Sequence, residues 1–174
     1  MPVAAAHWAV VCLGVLVAMC WLGTAVRRVF YRGRGVVVER IASGRLTLPA
    51  GWMLERNVAV VGLGDADLIL TDPKKERWIV EIKSYAGARK PRWWQTWRPE
   101  ITRLSGAPFS RDAIHQVLRL AERLNAEPLI WLPLAIEARP FRTRSGVLVV
   151  QGGRDALLRA IGARRSLLAF LHFW

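Results

Sequence analysis

Cysteine, histidine and acidic side chains are all scarce in this 174-residue chain. Its two cysteines, Cys12 and Cys20, fall inside an apolar run, and its three histidines, His7, His115 and His172, stand far apart. That excludes a disulfide framework and a zinc centre of the common Cys/His kind. Asp and Glu number 13 against 26 Lys and Arg, a net charge of +13. Such an excess attracts polyanions, either nucleic acid or an anionic membrane surface, and charge alone does not choose between them. No internal repeat or low-complexity segment divides the chain, and its length suits one compact domain.

Charge is absent altogether from the first 26 residues. The run from Val3 to Val26 is long enough to cross about 30 Å of hydrocarbon as a helix. Trp8 and Trp21 stand near its ends, where indoles favour the headgroup boundary, and Arg27, Arg28, Arg32 and Arg34 follow. The expectation is a single-pass transmembrane helix over 1–26, with a membrane partner through residues 3–26, the N-terminus outside and a cytoplasmic domain at the cell (inner) membrane. A cleaved secretory signal fits poorly, because no basic residue precedes the run and no small-x-small site precedes the arginines. A buried core helix is the other rival, but so long an uncharged run exceeds what a small core hides.

Residues 27–35 read as a basic juxtamembrane linker, and Val36 to Leu48 as a short helix weakened by Gly44. Strands are expected at Leu54–Gly62, Asp67–Leu70 and Trp78–Ser84, with Thr71-Asp72-Pro73-Lys74-Lys75 as a turn between the last two. Ser110–Asn125 carries Ile114, Val117, Leu118, Ala121 and Leu124 at the spacing of one helix face, with Ser110 as N-cap. Apolar runs at Leu129–Ile136 and Val147–Val150 suggest buried strands, and Arg154–Ala163 a closing helix. The order makes an α/β domain over 36–163, followed by an apolar tail over 164–174.

Gly64-Asp65-Ala66-Asp67-Leu68-Ile69-Leu70 and Trp78-Ile79-Val80-Glu81-Ile82-Lys83 carry the chemistry. Side chains alternate along a strand, so Glu81 and Lys83 share one face, and a hairpin returning from Leu70 brings Asp67 near Glu81. Two hard carboxylates can hold Mg²⁺ or Mn²⁺, with the Ile82 carbonyl as a third ligand. Lys83 can orient an attacking water or steady charge developing on a phosphate. Each of Glu81 and Lys83 favours the charged form of the other. The plain alternative is a solvated cross-strand ion pair.

With the loop Ser84-Tyr85-Ala86-Gly87, these residues resemble the core of the nuclease-related domain, the NERD family of the PD-(D/E)xK nuclease superfamily. The family pattern is Gly-Asp-x-Asp-apolar, then apolar-Glu-apolar-Lys, then a small loop ending in Gly. A glutamate on the preceding helix is matched nearest by Glu39, and a glutamine on the following helix by Gln116. The resemblance covers roughly Gly35 to Ala163. It implies a restriction-endonuclease-like domain with a central mixed sheet flanked by helices, and a divalent-metal nuclease site at Asp67, Glu81 and Lys83 with Glu39 and Gln116 in support. Asp65 reads as a turn residue and His115 as a helix-flank side chain.

Between Ser84 and Arg103, Trp93, Trp94 and Trp97 alternate with Arg89, Lys90, Arg92, Arg98 and Arg103. Aromatics beside cations can stack unpaired bases and neutralise phosphates. The same composition also suits a membrane headgroup layer. The expectation is a metal-dependent phosphodiester hydrolase acting on DNA or RNA. Its rivals are an inactive nucleic-acid-binding module and a membrane-surface scaffold.

Overall fold

A computed structural model describes residues 2–90 and 100–171, with the side chains of 2–12, 27–34 and 163–171 left out. The chain forms two compact units, Met1–Val37 and Val38–Trp174.

The expected transmembrane helix is not found. Among the described residues no helix is long and apolar enough to cross a membrane. The side chains described in the apolar run, 13–26, are all exposed. Nor is 27–35 a linker or Val36–Leu48 a separate helix. Residues 27–35 and Val36–Arg45 belong to α1 (Pro2–Arg45), with 46–48 past its end; the stretch has no proline, and its arginines, good helix formers, offset Gly33 and Gly35. A lone Gly44 near its end does not stop it earlier.

The second unit is a mixed α/β fold. Eight strands follow α1: β1 (Met53–Val60), β2 (Gly64–Thr71), β3 (Arg77–Ile82), β4 (Ala88–Arg89), β5 (Thr102–Arg103), β6 (Glu127–Leu132), β7 (Ala138–Arg142) and β8 (Leu148–Gln151). Helix α2 (Arg111–Arg123) separates β5 from β6, and α3 (Arg154–Leu171) follows β8. Six strands form one sheet in the order β1-β2-β3-β6-β8-β7, while β4 and β5 pair as a ribbon. The expected meander is present, since β1, β2 and β3 run antiparallel. β3, β6 and β8 are mutually parallel.

Period-two alternation in the central strands divides the core into two layers. Ile69, Ile79, Ile130 and Val149 face α2 through Ala113, Val117 and Leu120. Leu68, Trp78, Val80, Ile82, Trp131 and Val150 face Leu157 and Ile161 of α3 and Leu46 just after α1. Both faces of the central strands are covered, which is why they read as unbroken apolar runs. Ser110 caps α2 as expected, its hydroxyl accepting the Ala113 N–H at 3.3 Å.

Three readings shift. β6 stops at Leu132 rather than Ile136, since Pro133 has no N–H to extend a ladder. α3 continues to Leu171, through most of the tail expected over 164–174, whose side chains lie outside the described residues. β7 had no alternating pattern to reveal it, and its Pro140 is tolerated because β7 is an edge strand.

Candidate active site

The register of β2 against β3 pairs Leu68 with Val80, and that is the last rung toward the site. One step further, where Asp67 and Glu81 would face each other, the strands part. The Asp67 carboxylate fills the break by accepting the Ile82 N–H at 2.7 Å. Along β3 the Lys83 N–H turns the other way and donates to the Trp131 carbonyl at 2.9 Å. N–H and C=O of one strand residue point to the same side. The Ile82 carbonyl therefore faces the gap that holds Asp67.

Glu81 is 3% exposed. Its Oε1 lies 2.6 Å from Lys83 Nζ, whereas its Oε2 is buried with no hydrogen-bond partner. A buried carboxylate oxygen without a donor is costly unless a cation or water reaches it. Burial, and then the nearby Asp67 charge, push the Glu81 carboxyl up to about 6 against the pull of Lys83. Lys83 does favour the charged form of Glu81, as expected, but desolvation outweighs the ion pair. Asp67 is also raised by burial, opposed by the Ile82 N–H and Lys83. Lys83 is raised too, because although burial disfavours its charge, Glu81, Asp67 and Glu39 outweigh it.

Glu39 joins this electrostatic cluster. Half-buried near the end of α1, its carboxyl is raised by burial and by Asp67, and Lys83 opposes the shift. Gln116 approaches from α2, where Nε2 donates to the Asp65 carbonyl at 3.0 Å. Gln116 thus grips the backbone at the start of β2 rather than a carboxylate. Asp65 and His115 are exposed. Asp67, Glu81, Lys83 and Glu39 converge, with Gln116 bracing the strand that carries Asp67.

Among the described residues no group of three or more His, Cys, Asp or Glu side chains is arranged to hold a metal ion. Two carboxylates suffice for Mg²⁺, which keeps several waters and takes its remaining ligands from a phosphate. The orphaned Glu81 oxygen, the Asp67 oxygen not used by Ile82 and the Ile82 carbonyl are hard donors of the right kind.

Of the proposed nucleic-acid contacts, Arg89 and Lys90 are exposed on and beside β4. Arg92, Trp93, Trp94, Trp97 and Arg98 lie outside the described residues. A contact that spacing did not reveal joins Arg103 to Tyr85. The guanidinium sits 4.1 Å over the Tyr85 ring and Nη2 donates to its hydroxyl at 3.3 Å. Tyr85 stands two residues past Lys83, and that nearness was the available signal. No protein-family model, curated protein or solved structure matches this chain.

Proposed function

We propose that this chain is a divalent-metal-dependent phosphodiester hydrolase of the nuclease-related type, acting on DNA or RNA. The observation that carries this reading is the Glu81 carboxylate, buried at the parted ends of β2 and β3, with one oxygen on Lys83 and the other unpartnered beside Asp67. Asp67, Glu81 and the Ile82 carbonyl would hold Mg²⁺ or Mn²⁺, which would supply a Lewis acid for the phosphate and a more acidic water. Lys83 orients that water or steadies charge on the phosphate, and Glu39 adds negative potential that keeps the lysine protonated. The net charge of +13 draws the polyanion toward the site.

The test is cleavage of labelled single- and double-stranded DNA and RNA by the full chain, with Mg²⁺, Mn²⁺ or a chelator. The expected result is metal-dependent cleavage that disappears in Glu81→Ala and Lys83→Ala. A folded wild-type chain that cuts none of these substrates sinks the enzyme reading.

A second reading is a nucleic-acid-binding module that does not cut, favoured by the net charge of +13 and the exposed Arg89 and Lys90. It requires only the cationic surface at Arg89, Lys90 and Arg103. Binding that survives Glu81→Ala, ignores metal and falls steeply with salt distinguishes it.

A further inference from the structure

The parallel strands β3, β6 and β8 all end on one edge of the sheet. β3 ends in the Glu81-Ile82-Lys83 segment. β6 runs on into Pro133-Leu134, and β8 into Gly152-Gly153. Over the ends of β6 and β8 lies a cavity of about 310 Å³, walled by Val38, Ile41, Trp131 and Leu134, with Arg45 and Arg154 as its only charged lining among the described residues. Open parallel sheets bind ligands in the crevice outside the carboxyl ends of their strands. Along the edge this cavity lies at the ends of the two strands that follow β3 in the sheet, and Trp131 belongs to the face packed on α3, opposite to the face that carries Glu81 and Lys83.

Its chemistry suits an amphipathic anion. The walls are apolar, no carboxylate among the described residues lines them, and its volume is at the small end for ligand pockets of ~300–1,000 Å³. That room fits one planar ring system. The Trp131 indole is a fixed wall, because its N–H donates to the Gly152 carbonyl at 2.8 Å. Arg154 is held by its Nε on the Thr47 carbonyl at 2.8 Å, and its Nη1 lies 3.9 Å from the exposed Asp155 carboxylate, an exposed pair that solvent screens. Arg45 makes no ion pair or hydrogen bond among the described residues, so its charge is available to a ligand.

We propose that this cavity is a base subsite. It takes the purine or pyrimidine ring of a nucleotide that flanks the cleavage site and passes over the edge of the sheet, while Arg45 and Arg154 meet that nucleotide's phosphate. A base stacked and paired within a duplex cannot enter such a cavity without being extruded. The substrate class is therefore single-stranded nucleic acid or a frayed end. This inference rests on the nuclease reading for its neighbouring site, but its binding test does not depend on cleavage.

The test measures fluorescence anisotropy of a labelled single-stranded DNA 12-mer and the same sequence as a blunt duplex, on the full chain in a chelator so that nothing is cut. The wild type should bind the single strand about tenfold more tightly than the duplex, as stacking and pocket contacts to one base allow. Leu134→Asp, on an exposed lip of the cavity, should erase that preference. Arg45→Ala should weaken single-strand binding and lower its salt slope by about one. Thermal melts check that both variants fold, and Arg45→Ala decides the matter if Leu134→Asp does not. Equal binding of the two forms, or an unchanged preference in a folded variant, overturns the base subsite and leaves the nuclease reading standing. Cavity-dependent binding to anionic lipid vesicles, lost in Leu134→Asp while oligonucleotide binding is kept, overturns it in favour of a lipid. A wild type that shows the single-strand preference yet never cleaves with metal supports the subsite and removes the nuclease reading alone.

Discussion

The carboxylate of Asp67 accepts the backbone N–H of Ile82 at 2.7 Å, one step beyond the last rung of the β2–β3 ladder. A side chain thus replaces a backbone carbonyl just where the strands part. The break leaves a gap between β2 and β3 into which Glu81 presents a buried, unpartnered oxygen. Regular pairing to the end of the hairpin would have closed that gap.

Glu81 should make folding depend on pH in a definite direction. Its folded-state value of about 6 lies above the ordinary 4.5, so between these values the folded chain binds more protons than the unfolded chain. Stability therefore falls as pH rises through this window, by up to about 2 kcal/mol from this group. Glu81→Gln removes the effect. The melting temperature of the variant minus that of the wild type, measured without metal, should climb from pH 4.5 to pH 6.5. A difference that stays flat or falls contradicts the burial argument.

Gln116→Ala separates bracing from packing. Its amide donates to the Asp65 carbonyl at a half-exposed position, so its loss should cost less than ~1 kcal/mol of stability. Metal-dependent cleavage should drop about tenfold, because β2 carries Asp67 and small displacements of reacting groups are expensive. Unchanged cleavage in Gln116→Ala would show that the amide only trims the surface.

Gly152→Ala should destabilise more than Gly62→Ala. Gly152 has φ +108°, and an added Cβ would stand 3.0 Å from Glu137 Cβ and 3.1 Å from Glu137 Cα, whereas Gly62 at φ +78° has nothing within 4 Å. Urea titration should give a loss of about 1–3 kcal/mol for the first. The second should lose ~1–2 kcal/mol or less, from backbone conformation alone. Equal losses would mean that the Glu137 contact relaxes freely.

Ser110→Ala should cost about 1 kcal/mol, since it removes the acceptor for the Ala113 N–H, and Ser110→Asp should recover it. Thermal melts of the three proteins decide this. If Ser110→Ala melts like the wild type, the cap contributes nothing to α2.

Some elements were legible because their signal is local. β2 and β3 show dense apolar runs around a Pro-containing turn, and α2 has apolar residues at helical spacing behind a serine cap. Asp67, Glu81 and Lys83 stood out for the same reason, as charges interrupting strands that are otherwise buried. β7 escaped because an edge strand with Pro140 and Arg139 needs no alternation. The expectation that the apolar run from Val3 spans a membrane is overturned among the described residues. Here α1 runs on through its arginines to Arg45, and no described helix meets the length and apolarity a membrane demands.

The amino-acid sequence by itself determined the cationic balance, the scarcity of soft metal ligands, the meander and the identity of its charged residues, since all follow from composition and short-range period. Tertiary structure decided the rest. Glu39 and Gln116 reach the hairpin from helices on either side of it in the chain, and Trp131 stands beside Ile82 only because β3 and β6 pair in parallel across a long crossover. The acidity of Glu81 and the cavity beside Arg45 are likewise products of packing. Burial and the field of neighbouring charges exist only once distant segments have closed around them.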